Sequence, residues 1–427
     1  MATIICFIFD FIMLGFFNAC GAENPIISTS LIALTSLAIF ADILHSKQLK
    51  PFFNLLLGIY LTRIGLLYAV LYRIIHVPQD GSDTEGYYYS ALNIARFGYS
   101  DWVEIGGLFP RLFAQILKII GHERLFATYI ILLFSFYAIC ILVFILNNLD
   151  LTYRTRLRIV GIVGFLPSFA GLSVIFLRES LIILLNTISI YYFTEWYLKN
   201  RNKYFVYAII FSLGSSAIHA GGAALLIAYT GILAFYDNTN KVFKMTNKHL
   251  KLLITYTLIF IVLFMSLGQF FFTKFVKYAN AVALAQLGNQ KKWDDGGASY
   301  DKSLPSGSIP AKIISIPIRM AYFLFSPLPW QWRGLKDMVG FIVSSLFYLI
   351  ACFYCLRIIY RYKQQGNPLL VLLFFITLVS SFIFGFGVTN FGAAMRHRDK
   401  FVSIYAIILA ISWDIKFKSR KRLLKIR

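Results

Sequence analysis

An arginine and a glutamate stand side by side in SVIFLRESLIILL, Ser173 to Leu185, inside a run that is otherwise apolar. Arg178 offers a planar, permanently charged fork that suits phosphate. Glu179 can orient that group or take a proton. The plain alternative is an interfacial salt bridge that snorkels and pins a hairpin. A second group, Arg396-His397-Arg398, follows Thr389-Asn390-Phe391-Gly392. These three potential cations beside Asp399 have the chemistry to clamp a departing pyrophosphate. His219, in SSAIHAGG, is either a packing residue or a general base, since its ordinary pKa lies near working pH. Its small neighbours leave room for a substrate or for close helix packing.

The stretch DGSDTEGYYYS places Asp80, Asp83 and Glu85 beside Tyr87, Tyr88 and Tyr89. Its D-x-x-D spacing is not the D-x-D common in metal–nucleotide sites, and no metal is expected. Acids with aromatics suit sugar hydroxyls and sugar faces, and Asp83 could activate an acceptor hydroxyl. Ser82-Asp83 also reads as the N-cap of an amphipathic helix to Phe97. Arg111, Arg319 and Arg333 flank broken apolar segments as further contacts. Arg63, in LTRIGLL, lies deep inside an apolar run, where a charge needs a cavity or a partner.

The exclusions are equally informative. The chain has no phosphate-binding Gly loop with its Lys and no H-E-x-x-H, so nucleotide-driven chemistry lacks a carrier and no cofactor is expected. Cys352 and Cys355 form a C-x-x-C inside an apolar run without a second pair, and they read as small apolar filler. The net charge of +22 sits in short clusters between apolar runs. That pattern favours anionic lipid over nucleic acid as the partner.

These residues must be positioned by apolar elements, because only 14% of the 427 residues are charged and 59% are hydrophobic. The mean hydropathy is +0.70. A soluble domain averages about 25% charged residues. Uncharged runs of about 20 residues match a bilayer core. The expected fold is an all-α polytopic membrane protein, a single integral membrane domain over 1–427. About twelve spans are expected near 1–17, 26–45, 52–75, 125–147, 159–177, 180–198, 203–218, 221–236, 251–273, 338–360, 368–387 and 400–415. The segments 108–121 and 311–328, short or broken by Pro and Arg, are expected to be re-entrant or interfacial.

Basic clusters at Lys47/Lys50, Arg154/Arg156/Arg158, Lys199/Arg201/Lys203, Lys241/Lys244/Lys248/Lys251, Arg357/Arg361/Lys363 and the tail are separated by even numbers of these spans. The positive-inside rule therefore predicts both termini in the cytoplasm and puts most acidic residues outside. On this topology Arg178-Glu179 is an external turn between two helices. The long loops 76–107 and 274–310 are external too. Arg396, His397 and Arg398 break the charge rule by lying outside.

Several of these stretches together resemble the bacterial polysaccharide polymerases of the Wzy and EpsG type. They are the Asp/Tyr-rich stretch Asp83 to Tyr89, Leu166-Pro167-Ser168 leading to Arg178-Glu179, and Ile218-His219. To them are added GGASY at Gly296 to Tyr300, Pro327-Leu-Pro-Trp330, and NFGAAMRHR at Asn390 to Arg398. The likeness implies polymerisation of oligosaccharide repeat units carried on undecaprenyl diphosphate, at the external face of the bacterial cytoplasmic membrane, without metal or cofactor. Its partners would be the lipid-linked glycan donor and acceptor and membrane lipid, with a chain-length-regulating membrane protein as a candidate. Arg178, Arg396 and Arg398 would hold the diphosphate, and Glu179, His219 or Asp83 would activate the acceptor. Asp80, Tyr87, Tyr300 and Arg333 would contact the glycan. Ala-Gly-Gly after His219 departs from the EpsG pattern. The acidic spacing also resembles GT-C glycosyltransferases that use polyprenyl-phosphate sugars. A flippase or secondary transporter is the third reading.

Overall fold

Helices follow from the apolar runs almost everywhere, and the informative places are where they stop. The computed structural model describes residues 1–21, 25–77, 80–98, 107–244, 309–362, 367–388 and 390–425, with isolated positions between 251 and 299. Tyr300, most of the loop 274–310 and most of the expected span 251–273 lie outside the described residues. Seven described helices are long and apolar enough to cross a membrane. The chain is a polytopic, nearly all-α membrane protein. It divides into two compact units, Met1–Leu149 with Arg156–Leu184, and Asp150–Thr155 with Leu185–Arg427.

The first unit begins with the spans α1 (Ala2–Ala19), α2 (Pro25–His45) and α3 (Phe53–Leu71). Two shorter helices, α4 (Ser82–Phe97) and α5 (Leu108–Ile120), pack together. The span α6 (Arg124–Asn148) follows. In α5 the buried residues Phe109, Phe113, Leu117 and Ile120 recur at helical spacing, while Arg111 and Lys118 are exposed. Such one-sided burial marks a helix that lies against its neighbours. The helix α6 is buried on nearly every side and touches α2, α3 and α5. Tyr60 on α3 bonds Tyr129 on α6 at 2.8 Å and Ser36 on α2 at 2.7 Å, tying three apolar helices by hydroxyls.

The expected span 159–177 is not one helix. Its chain forms α7 (Tyr153–Gly164), then the six-residue α8 (Pro167–Leu172), then an irregular stretch to Arg178. The break is local chemistry. Leu166, held extended before Pro167 (ψ 115°), cannot continue a helix, and Pro167 lacks the N–H that a carbonyl upstream would use. Arg63 repairs this break. Fully buried, it donates from Nη2 to the Gly164 carbonyl at 3.2 Å and from Nη1 to Ser135 Oγ at 2.9 Å. Its guanidinium lies 4.5 Å from the Phe169 ring centroid. The span α9 (Glu179–Lys199) begins as expected.

The second unit holds α10 (Asn202–Ile218) and α11 (Ala223–Phe235), joined by a 3-10 turn at Ala220–Gly222. A small hairpin pairs β1 (Tyr236–Asp237) with β2 (Val242–Phe243). Then come α12 (Ile309–Phe325), α13 (Leu335–Gly340), a π-helical turn Phe341–Ser345, and α14 (Leu346–Tyr362). The chain closes with α15 (Pro368–Gly387), α16 (Phe391–Arg398) and α17 (Val402–Lys425). The helix α15 packs against α11, α12 and α17, and α14 packs against α17. The C-x-x-C cysteines are buried in α14 as free thiols.

Removing Arg63 exposes its structural role. Arg63→Leu leaves the Gly164 carbonyl without its buried donor, a loss of about 1–3 kcal/mol. The expected result is a lower thermal midpoint for the detergent-purified protein. An unchanged midpoint would show that the break is closed by other groups.

Candidate functional site

In the first unit the chemistry gathers where α3 gives way to α4. The last turn of α3 is closed by Ile74 N–H to Ala69 O at 2.8 Å, with Arg73 in the left-handed region at φ 59°. Glycine is the usual occupant of that position. Beyond it, Gly81 takes the N-cap place of α4. Ser82 and Asp83 are therefore the first residues within the helix and not its cap, which corrects the expected start while leaving the end at Phe97. Asp83 and Glu85 lie in the first turn, where carboxylates meet the positive end of the helix dipole.

A cleft of about 370 Å³ opens here, with Arg73, His76, Asp80, Thr84, Glu85 and Arg124 among its polar walls. Val70, Leu71 and Val174 to Phe176 form its apolar walls. Arg124 holds Glu85 with both arms of its fork, at 2.9 and 2.5 Å. Sequence reading singled out Asp80 and Glu85 but passed over Arg73, His76 and Arg124. A signal existed: all three are cationic or titratable groups on the side that the charge rule assigns to acids.

Arg178 is the residue before α9, and its carbonyl accepts the first helical bond, from Ile182 N–H at 3.1 Å. Its side chain is only 8% exposed. Among the described residues it makes no ion pair and no side-chain hydrogen bond, and its buried Nε is without a partner. Its one close companion is the Tyr87 ring, 5.5 Å from the guanidinium carbon. A salt bridge between Arg178 and Glu179 is thus not what holds the pair. Glu179 is buried as the first residue of α9. The neighbouring Tyr88 ring carries a second guanidinium, that of Arg124, at 5.0 Å. Two adjacent tyrosines of α4 therefore each present a face to an arginine.

In the second unit His219 caps α10 in an extended conformation (φ −151°, ψ 123°). Gly221 N–H donates to its Nδ1 at 2.9 Å. The neutral ring then carries its proton on Nε2, so it offers a donor there. Acting as a base through Nε2, as expected of His219, would need the other tautomer. The ring lies 5.1 Å from His397 and 6.0 Å from Phe384, centroid to centroid. His397 Nδ1 in turn meets Lys400 Nζ at 2.8 Å. Lys400 is 2% exposed and was not among the expected contacts.

The glycines after His219 serve packing. A Cβ on Gly221 would stand 2.2 Å from Phe384 Cζ, and one on Gly222 would stand 2.7 Å from the Ser215 carbonyl carbon and from Ser216 N. The small residues therefore allow close approach and do not leave a void.

Arg398, expected at the diphosphate, is fully buried and bound throughout by its own unit. Nη1 donates to the carbonyls of Leu324 and Ser326 at 2.9 and 2.8 Å, at and just past the end of α12. Nη2 donates to Ser344 Oγ and Ser345 Oγ at 2.9 and 2.8 Å, and Nε to Ser344 Oγ at 3.2 Å. With every arm engaged, Arg398 ties the end of α12 to the serines of the π-helical turn. Arg396, on the same helix, is only partly buried. Asn390 caps α16 by accepting from Ala393 N–H at 2.8 Å, and its backbone pairs with Ser299 of the GGASY stretch. Arg333 clasps Asp337 at 2.9 and 3.1 Å, which raises its pKa above the usual arginine value, and lies 5.4 Å from the Phe391 ring. Among the described residues no group of His, Cys, Asp and Glu is placed to hold a metal ion.

Set against known protein families, characterised proteins and solved structures, the chain matches none.

Two substitutions separate packing from chemistry. Arg398→Met strips the donors from a buried set of carbonyls, a loss of about 1–3 kcal/mol for each group left unsatisfied. It is expected to reduce the amount of folded protein recovered from membranes. Gly222→Ala forces the Ser215–Ser216 backbone to move and is expected to lower the thermal midpoint. Gly387→Ala, with nothing within 4 Å of the added carbon, is the neutral control.

Proposed function

We propose that the protein is a glycan polymerase of the bacterial cytoplasmic membrane, extending a chain from repeat units carried on undecaprenyl diphosphate. The observation that carries this reading is Arg178. A buried guanidinium with no counter-charge and no hydrogen-bond partner among the described residues is costly to maintain. A permanent cation of that kind suits a diphosphate, which it can engage with two parallel N–H donors. The adjoining cleft supports the reading, because charged and apolar groups line it together, as suits a sugar.

In this reading the chain crosses the membrane about twelve times, with α5 and α12 as re-entrant or interfacial pieces. Both termini are cytoplasmic and the polar helix junctions are external. The acceptor hydroxyl attacks the anomeric carbon of the donor. A glycosidic C–O bond forms, the anomeric C–O bond to the diphosphate breaks, and the lipid diphosphate leaves with both electrons of that bond. Arg178 stabilises the charge that develops on it. The hydroxyl proton passes to a carboxylate, for which Glu179 and Asp83 are the candidates in the first unit. Arg396 is the candidate cation of the second unit. The membrane-buried Arg63 closes a helix break and lines no polar path, so it lends a transporter no support.

The test is reconstitution with a lipid-linked repeat unit, followed by sizing of the product. A ladder of repeats is expected from the native protein, with a loss of about 100-fold in rate for Arg178→Ala at normal protein level. Arg178→Lys, which keeps the charge but not the fork, is expected to fall between the two. A single sugar addition instead of a ladder would identify a GT-C-type transferase. Full-length polymer from Arg178→Ala would overturn the assignment.

A further inference from the structure

The cleft between the end of α3 and the start of α4 contains chemistry that the diphosphate contact does not use. We propose that it is a carbohydrate subsite for one uncharged pyranose ring, with the Thr84 hydroxyl as its buried contact. The proposal rests on the polymerase reading only in taking the ligand to be a glycan.

Charge comes first. The fork of Arg124 is closed on Glu85 at 2.9 and 2.5 Å, and the remaining formal charges on the walls are one guanidinium, Arg73, and one carboxylate, Asp80. The walls therefore sum to zero, with His76 as a further donor or acceptor. Fixed donors and acceptors in balance suit hydroxyl groups, each of which both donates and accepts. Two carboxylates disfavour a phosphate. Arg178 is the reverse case, a cation with no carboxylate bonded to it among the described residues.

Thr84 supplies the independent sign of a ligand. It is the third residue of α4, lines the cleft, and is 2% exposed. Its Oγ1 is buried without a hydrogen-bond partner among the described residues. A threonine within a helix can satisfy its hydroxyl on a carbonyl of the preceding turn. That Thr84 does not, among the described residues, leaves a buried donor and acceptor on a residue that lines the cleft. Ile175 and Phe176, also in the lining, give the C–H face of a ring an apolar surface. Arg73, in the left-handed conformation at φ 59°, is held in a backbone state that favours glycine, and such departures cluster at binding sites. The volume of about 370 Å³ lies at the small end of the range of roughly 300–1,000 Å³ for ligand sites, enough for a sugar ring but not for a polyprenyl chain.

The experiment uses the full chain in lipid nanodiscs, titrated with methyl glucopyranoside and followed by saturation-transfer NMR. Methyl glucopyranosiduronate and inorganic phosphate serve as competitors. Thr84→Val keeps the shape and removes a hydroxyl that bonds nothing among the described residues. Its thermal midpoint is therefore expected to be unchanged or higher, while sugar binding weakens about five- to tenfold. Asp80→Asn is expected to weaken binding as well, and neither competitor is expected to displace the neutral sugar. The proposal is overturned if Thr84→Val binds as the native chain does, if its thermal midpoint falls, or if phosphate displaces the sugar. Binding requires no turnover, so the two readings fail separately. Thr84-dependent binding without polymer formation overturns the polymerase and leaves the subsite. Polymer formation without Thr84-dependent binding does the opposite.

Discussion

A helix that stops inside an apolar environment leaves carbonyls that water cannot reach, and each must find a donor within the protein. Much of this structure depends on how that demand is met. Arg398 gathers the carbonyls at the end of α12 together with two serines of the π turn. Arg63 meets the carbonyl left by the break between α7 and α8. Both arginines are fully buried, yet their donors are directed at the backbone and at hydroxyls. Guanidinium suits the task because one side chain offers five donors in a plane. The broken helices in turn make the irregular junctions at which polar chemistry can exist in a chain this apolar.

Viewed through those junctions, the stretches that carry the family likeness take on a different meaning. Leu166-Pro167 ends one helix and starts another. His219-Ala-Gly-Gly turns α10 into α11 with no space for a β-carbon at either glycine. Asn390 caps α16, and the bridge from Ser299 to Asn390 links two of the stretches directly. Most of them punctuate the backbone. Arg178 differs, because among the described residues its side chain makes no hydrogen bond and lies against the Tyr87 ring.

The apolar runs made the helical class and the long spans legible, since composition over about 20 residues decides which segments can cross a bilayer. The amphipathic helix Ser82–Phe97 was legible as well, from its spacing. Span 159–177 misled because hydropathy does not register a single Leu-Pro step that ends a helix. Arg398 misled for a related reason. A cation that departs from the charge rule can be there for a ligand or for buried carbonyls, and only its hydrogen bonds tell these apart. Arg73, His76 and Arg124 were passed over although they depart from the charge rule, because they are scattered singly at element ends and form no motif. The cleft unites them through the turn of the chain between α3 and α6 and not through any spacing in the sequence.

The π turn at Phe341–Ser345 has a geometric consequence. A π turn is a helix with one residue more than its hydrogen bonding requires, and at 3.6 residues per turn that residue rotates everything beyond it by about 100°. Ser344 and Ser345, within the turn, both reach Arg398, and Tyr348, just past it, reaches Asp399 with its hydroxyl at 2.5 Å. The angular phase of α14 is thus set by a single surplus residue. The length of this segment is as much a part of its specification as its composition, and a one-residue deletion that preserved every hydrophobic side chain would still turn Tyr348 away from its carboxylate.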